Sequence, residues 1–122
     1  MPPSTENFEG YYIGVMTGTS GDGLDIALVN INRSQTLQFV SSETIPFSPQ
    51  LREKLIELST PSANEIEKLG QCDTELGNFI GRSIISFLEG RNLSTKRIVA
   101  IGSHGQTIRH RPPSDGNPFP FT

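Results

Sequence analysis

The sequence holds a single cysteine, no tryptophan and no apolar run of the length that spans a bilayer. A lone Cys72 permits no intrachain disulfide and no cysteine-based metal site, which fits a reducing compartment and makes a small core residue its expected role. Basic residues are also scarce: ten Lys and Arg against thirteen Asp and Glu give a net charge of −3 and a pI near 5.3. Neutralising nucleic-acid phosphates needs a basic surface, so nucleic acid is not expected as a partner. The opening residues, MPPSTENFEG, offer neither a basic n-region nor an apolar h-region, and no stretch approaches the roughly 20 apolar residues of a membrane helix. A cytoplasmic chain without a membrane segment is the expectation. Internal repeats and low-complexity segments are likewise missing.

The few basic residues are unevenly placed. Residues 1–81 carry four basic and eleven acidic side chains, whereas residues 82–122 carry six and two. A positive segment in an acidic chain suits a small anion better than a duplex, and chance scatter over a solvated surface accounts for it equally well. The 122 residues match the usual size of one domain. The chain nevertheless stops at GNPFPFT, which reads as a segment cut before the element it leads into, so a piece of a longer protein is expected.

Periodicity then divides the chain. Short β-rich runs at Tyr12–Met16, Leu24–Ile31 and Leu37–Glu43, joined by short polar turns, predict an antiparallel meander. After the stretch PFSP, Leu51, Leu55 and Leu58 fall at i, i+4, i+7 of a helix. Ser62-Ala63-Asn64-Glu65 offers a capping box, and behind it Ile66, Leu69, Cys72, Leu76, Phe79, Ile80, Ser83, Ile84, Phe87 and Leu88 form one apolar stripe. That predicts a core-facing helix near Ala63–Glu89, which Gly90 can stop. The run RIVAIGSHG predicts a short buried strand, Ile98–Gly102, entering a loop. A crossover through two helices lets it lie parallel to the first strand. The fold class expected is α/β: a mixed sheet with an antiparallel meander, one parallel strand and packed helices.

Ligands in such sheets bind where loops leave the strand ends, and two loops here are chemically loaded. In TGTSGDG, Gly18, Gly21 and Gly23 can take positive φ and leave room for close approach, so backbone N–H groups can converge on an anion. Thr17, Thr19 and Ser20 add hydroxyls. Asp22 and Asp25 are odd neighbours for a phosphate unless a divalent cation such as Mg²⁺ lies between them. No Gly-Lys-Ser/Thr follows, so this is not a Walker loop. The same composition also describes a long hairpin loop rich in turn formers, with Asp22 capping its own backbone. The second loop gathers Ser103, His104, Gln106, Thr107, Arg109, His110 and Arg111 within nine positions, a density that suits a polar or anionic small ligand such as a sugar or carboxylate. A structural loop is the competing reading. His104 and His110, six apart, lack a third partner at metal-ligand spacing.

Together, GVMTGTSGDGLDIAL and, some 75 residues on, AIGSHGQTIRHRP with PFT closely resemble the anhydro-N-acetylmuramic acid kinases of bacterial cell-wall recycling. The likeness runs from about Tyr12 to the end, and the paired motifs are specific. It implies an actin-like, sugar-kinase (ribonuclease H-like) lobe, with residues 1–122 as the N-terminal part of the first of two lobes. It further implies ATP and Mg²⁺, with Gly18, Thr19, Ser20, Gly21, Asp22, Gly23, Leu24 and Asp25 as the ATP-phosphate loop. Ser103, His104, Gly105, Gln106 and Thr107 would face the cleft that binds 1,6-anhydro-N-acetylmuramic acid. Metal ligands are not assigned. The implied reaction couples opening of the anhydro ring by water to phosphorylation at O6, a phosphotransfer to an alcohol acceptor. Its general base, an aspartate, would lie outside these residues, leaving the isolated chain inactive. A homodimer of the full-length form is compatible with the resemblance. One departure is Gly21, where relatives commonly have Met, Leu or Ala. Two other readings stay open: a nucleotide-gated actin-like interaction protein, and a stand-alone anion-binding domain.

Overall fold

Alternation builds the sheet. In β1 (Gly10–Thr17) Ile13, Val15 and Thr17 are buried while Gly14 and Met16 are exposed, and in β2 (Gly23–Ile31) Leu24, Ile26 and Leu28 are buried while Asp25 is exposed. Period-two burial of this kind gives the sheet one apolar face that needs a cover. The structure, a computed structural model, describes residues 8–18, 21–114 and 116–122. Its four strands run in the order β3-β2-β1-β4, with β3 at Leu37–Pro46 and β4 at Ile98–Ser103. β1 pairs antiparallel with β2, β2 antiparallel with β3, and β1 parallel with β4, so the predicted meander and the parallel return both form.

Two helices supply the cover. α1 (Pro49–Leu58) starts where Ser48 accepts the Leu51 N–H at 3.2 Å and Pro49 opens the first turn, a position that needs no donor. Its Leu51, Leu55 and Leu58 join Cys72, Ile84, Phe87 and Leu88 of α2 (Glu65–Glu89) over Ile13, Val15, Leu24, Ile26 and Leu28. Cys72 is the small core residue expected. At the far end of α2, the Arg91 guanidinium lies 3.6 Å over the Phe87 ring and donates to Ser41 and Glu43, tying the helix to β3. No described helix is long and apolar enough to cross a membrane.

Several expectations need correction. β3 continues to Pro46, because its pairing with β2 extends to Gly23↔Pro46. The capping box is half made: Glu65 accepts the Ser62 N–H at 3.2 Å, but the helix begins at Glu65 behind a left-handed Asn64, and the Ser62 hydroxyl meets Lys68 Nζ instead. α2 does end at Glu89 with Gly90 as its cap, but Gly90 is right-handed (φ −61), and the left-handed residue is Asn92 (φ 53), after which the Leu93 N–H reaches back to the Leu88 carbonyl. The predicted stripe leaves the core at its start, where Ile66 and Leu69 are exposed. β4 is not buried. It is an edge strand with Val99 and Ile101 half exposed above a shallow hollow formed with Ile84, Ile85 and Leu88 of α2.

Candidate functional site

The two marked loops leave the same end of the parallel pair formed by β1 and the edge strand β4. After Thr17 the chain turns, with the Gly21 N–H donating to the Gly18 carbonyl at 3.0 Å. Gly21 has φ +64, the left-handed region in which a side chain is strained. Thr19 and Ser20 lie outside the described residues. Gly23 has a different reason to be glycine: a Cβ there would sit 2.6 Å from the Ile45 carbonyl oxygen. It permits close approach of β3, and positive φ is not its role. Leu24 is fully buried in the core, so any part it has in the loop is through its backbone and through anchoring β2.

The two aspartates go separate ways. Asp22, exposed, is 3.4 Å from Arg52 of α1, on the helix-covered side. Asp25 stands on the open face of the sheet, in register with Met16 and Thr44, and accepts the Thr44 hydroxyl at 2.5 Å. A single cation between both carboxylates is therefore not what the fold sets up. Among the described residues no group of His, Cys, Asp or Glu is arranged to hold a metal.

The second loop lies alongside the first. The His104 N–H donates to the Val15 carbonyl at 3.0 Å, extending the β1·β4 ladder one residue past the strand. Side chains then take over: the Thr17 hydroxyl donates to the Gly105 carbonyl at 3.1 Å, and the Gln106 amide donates to the Gly18 carbonyl at 3.2 Å. Gly105 lies at φ +80, in the left-handed region that favours glycine. Gln106 Nε2 also donates to the Thr107 carbonyl at 3.0 Å, while Gln106 Oε1 is buried without a partner among the described residues. Ser103 and His104 are exposed, Gln106 and Thr107 half-buried. The His104 ring borders a hollow of about 440 Å³ on the open face with Met16, Asp25 and Thr44. Gln106 instead borders a cleft of about 260 Å³ against the helices, floored by Leu55, Leu58, Cys72 and Leu76.

Farther on, the polar cluster disperses. Arg109 donates to the Leu58 carbonyl and to the Glu65 carboxylate, strapping the loop to both helices. The Ser62 N–H and then the Arg109 guanidinium hold Glu65 below the usual carboxylate range. His110 meets the Thr122 hydroxyl at 2.8 Å, and the Arg111 backbone pairs with Phe121. Burial pushes the Cys72 thiol up, with Glu75 adding to the effect, so it is poorly suited to act as a nucleophile. Sequence reasoning missed Arg52, which lies among the exposed positions of α1 and carries no local signal. Thr44 could have been found from its register with Asp25.

A family model described as anhydro-N-acetylmuramic acid kinase matches residues 10–122. Among curated proteins so named, that of Saccharophagus degradans is 43% identical over 91% of this chain and 30% of its own length. That of Acinetobacter baylyi is 46% identical over 83% of this chain and 26% of its own length, and that of Colwellia psychrerythraea 43% identical over 89% and 28%. The chain thus spans about three tenths of the length of these relatives.

Proposed function

The chain belongs to the anhydro-N-acetylmuramic acid kinase family, and from that premise we propose that the protein carrying it uses ATP to convert 1,6-anhydro-N-acetylmuramic acid into N-acetylmuramic acid 6-phosphate. Water adds at the anomeric carbon, the 1,6-anhydro bond breaks, and O6 takes the γ-phosphoryl group as ADP leaves. Residues 1–122 form the N-terminal part of the first lobe in this reading, and the general base lies outside them. The reaction belongs to the cytoplasm and to peptidoglycan recycling.

One observation carries the assignment of roles: the glycine-rich loop and the Ser103–Thr107 loop are hydrogen-bonded side by side at one end of β1 and β4. Loops at the ends of adjacent parallel strands are where such sheets place ligands. Gly18 to Gly23 offer N–H groups to the ATP phosphates. Leu24 and Asp25 lie among the first, turn-proximal residues of β2, the strand that fixes the far side of this loop. Mg²⁺ carried with ATP supplies charge neutralisation. Of the two loop carboxylates, Asp22 fits that ion, being exposed and held by a solvated pair to Arg52, whereas Asp25 is engaged on the opposite face. His104, exposed above the open face, is the side chain best placed for the sugar.

The test is direct. Full-length protein incubated with ATP, Mg²⁺ and the anhydro sugar should yield a phosphate monoester resonance in ³¹P NMR and the mass of the 6-phosphate. ATP consumption without a phosphorylated sugar would overturn the reading in favour of an ATPase switch.

A further inference from the structure

Three bonds join the second loop to the end of β1 and the start of the first loop: His104 with Val15, Gly105 with Thr17, Gln106 with Gly18. The last is the only one of the three that reaches into the glycine-rich turn itself. Gln106 has both amide hydrogens committed to carbonyl oxygens, those of Gly18 and Thr107. Turning the amide over would point its oxygen at two carbonyls, so the orientation is forced. Among the described residues Oε1 is buried without a partner, so the two donated bonds are the contacts that orient this side chain.

The Gly18 carbonyl that Gln106 holds also accepts the Gly21 N–H. One carbonyl thus ties Gly18 and Gly21 to each other and both to the second loop. Resting on the kinase reading above, we propose that Gln106 is a positioning residue for the nucleotide: from the second loop it sets the Gly18–Gly21 turn in the geometry that receives the ATP phosphates, and it does not itself bind the sugar. The polar loop is thereby split by function. His104 serves the open face, and one residue beyond Gly105 the chain serves the phosphate loop. This departs from the expectation that the whole Ser103–Thr107 run faces the sugar.

The experiment compares Gln106→Met, which keeps length and volume but cannot donate, with His104→Ala in the full-length protein. Q106M should raise the KM for ATP about tenfold, equal to about 1.4 kcal/mol, while the KM for the anhydro sugar stays within about twofold. H104A should show the opposite split. Thr17→Val, which removes the neighbouring inter-loop bond at nearly constant shape, should move the ATP term in the same direction as Q106M. Hydrogen exchange measured without ligand should accelerate in the 18–23 segment of Q106M and remain unchanged in α2, which separates a loosened loop from general unfolding. A sugar KM that rises as much as the ATP KM, or exchange in 18–23 that does not change, overturns the proposal. If the wild type binds ATP yet leaves the sugar untouched, the kinase reading falls and the Kd for ATP of Q106M against wild type decides on Gln106. If the wild type binds no ATP, both fall.

Discussion

Replacing Gly23 by Ala places a methyl group 2.6 Å from the Ile45 carbonyl oxygen, 3.1 Å from the Pro46 Cα and 3.2 Å from the Ile45 carbonyl carbon. All three are backbone atoms of β3, so no rotamer change relieves the overlap. The strands must part at the Gly23↔Pro46 pair, next to the bond from the Phe47 N–H to the Asp22 carbonyl. Overpacking of this kind costs about 1–3 kcal/mol, and the entropy removed from the unfolded chain returns about 0.4–1 kcal/mol. A net loss of about 1–2 kcal/mol is expected. Gly14 is the internal control, since it is in the neighbouring strand and a methyl group added there would meet nothing within 4 Å. Gly14→Ala should be neutral or gain about 0.4–1 kcal/mol. Gly21→Ala meets open space but a φ of +64, and should lose about 1–2 kcal/mol for that reason alone. Urea unfolding followed by circular dichroism reads all three. With a slope of about 1–3 kcal/mol per molar, the midpoints of G14A and G23A should differ by roughly 1 M. A G23A midpoint equal to that of G14A would refute the packing argument. The distinction bears on function: a bulky residue at Gly23 disables the protein through β2·β3 packing, so loss of activity there is no evidence for phosphate binding.

Two further outcomes follow from charge. Because the Glu65 carboxyl is held below its ordinary 4.5 in the folded protein, its contribution is fully present above pH 4.5 and is lost as pH falls through the lower, folded value. The stability difference between wild type and Glu65→Gln, measured by urea midpoints across an acid series, should therefore narrow below pH 4.5; a difference independent of pH would refute the Arg109 and Ser62 strap. Asp22→Asn keeps the loop's shape and removes one charge, so full-length turnover should fall and recover partly as Mg²⁺ is raised. Arg52→Gln, which breaks only an exposed pair, should change stability by less than about 1 kcal/mol. A D22N rate that is insensitive to Mg²⁺ would take the metal away from Asp22.

The elements are legible in the sequence because each obeys one clear period. Ile13 and Val15 alternate with Gly14 and Met16, and Leu51, Leu55 and Leu58 recur at helical spacing. Exposure is less legible. An apolar run such as Ile98–Ile101 reports that the residues suit burial, but not whether another strand or helix lies over them, and β4 is an edge. The same limit applies to Ile66 and Leu69, which keep the period of the stripe and are nevertheless exposed. The polar loop misleads for a reason of length. Nine residues in extended conformation cover up to about 30 Å, so side chains close in sequence need not converge. Here Gln106, Arg109 and His110 serve the first loop, the two helices and Thr122 respectively.

The meeting of the two loops is accessible from topology. Once a crossover through α1 and α2 returns β4 parallel to β1, the segments after both strands must emerge at one end, and adjacency in the sheet makes them neighbours. The separation of Asp22 and Asp25 is accessible as well, from parity rather than composition. Residues three apart in a chain that is becoming a strand face opposite sides, because side-chain direction alternates. Leu24, one residue before Asp25, is fully buried toward the helices, so Asp25 has to point to the open face and Asp22 to the side of α1, where Arg52 meets it. Two carboxylates in one short loop thus suggest a shared cation only while they are counted by composition. Counted by parity, they divide into one residue that pairs with Arg52 on the side of α1 and one that braces β2 against β3 through Thr44.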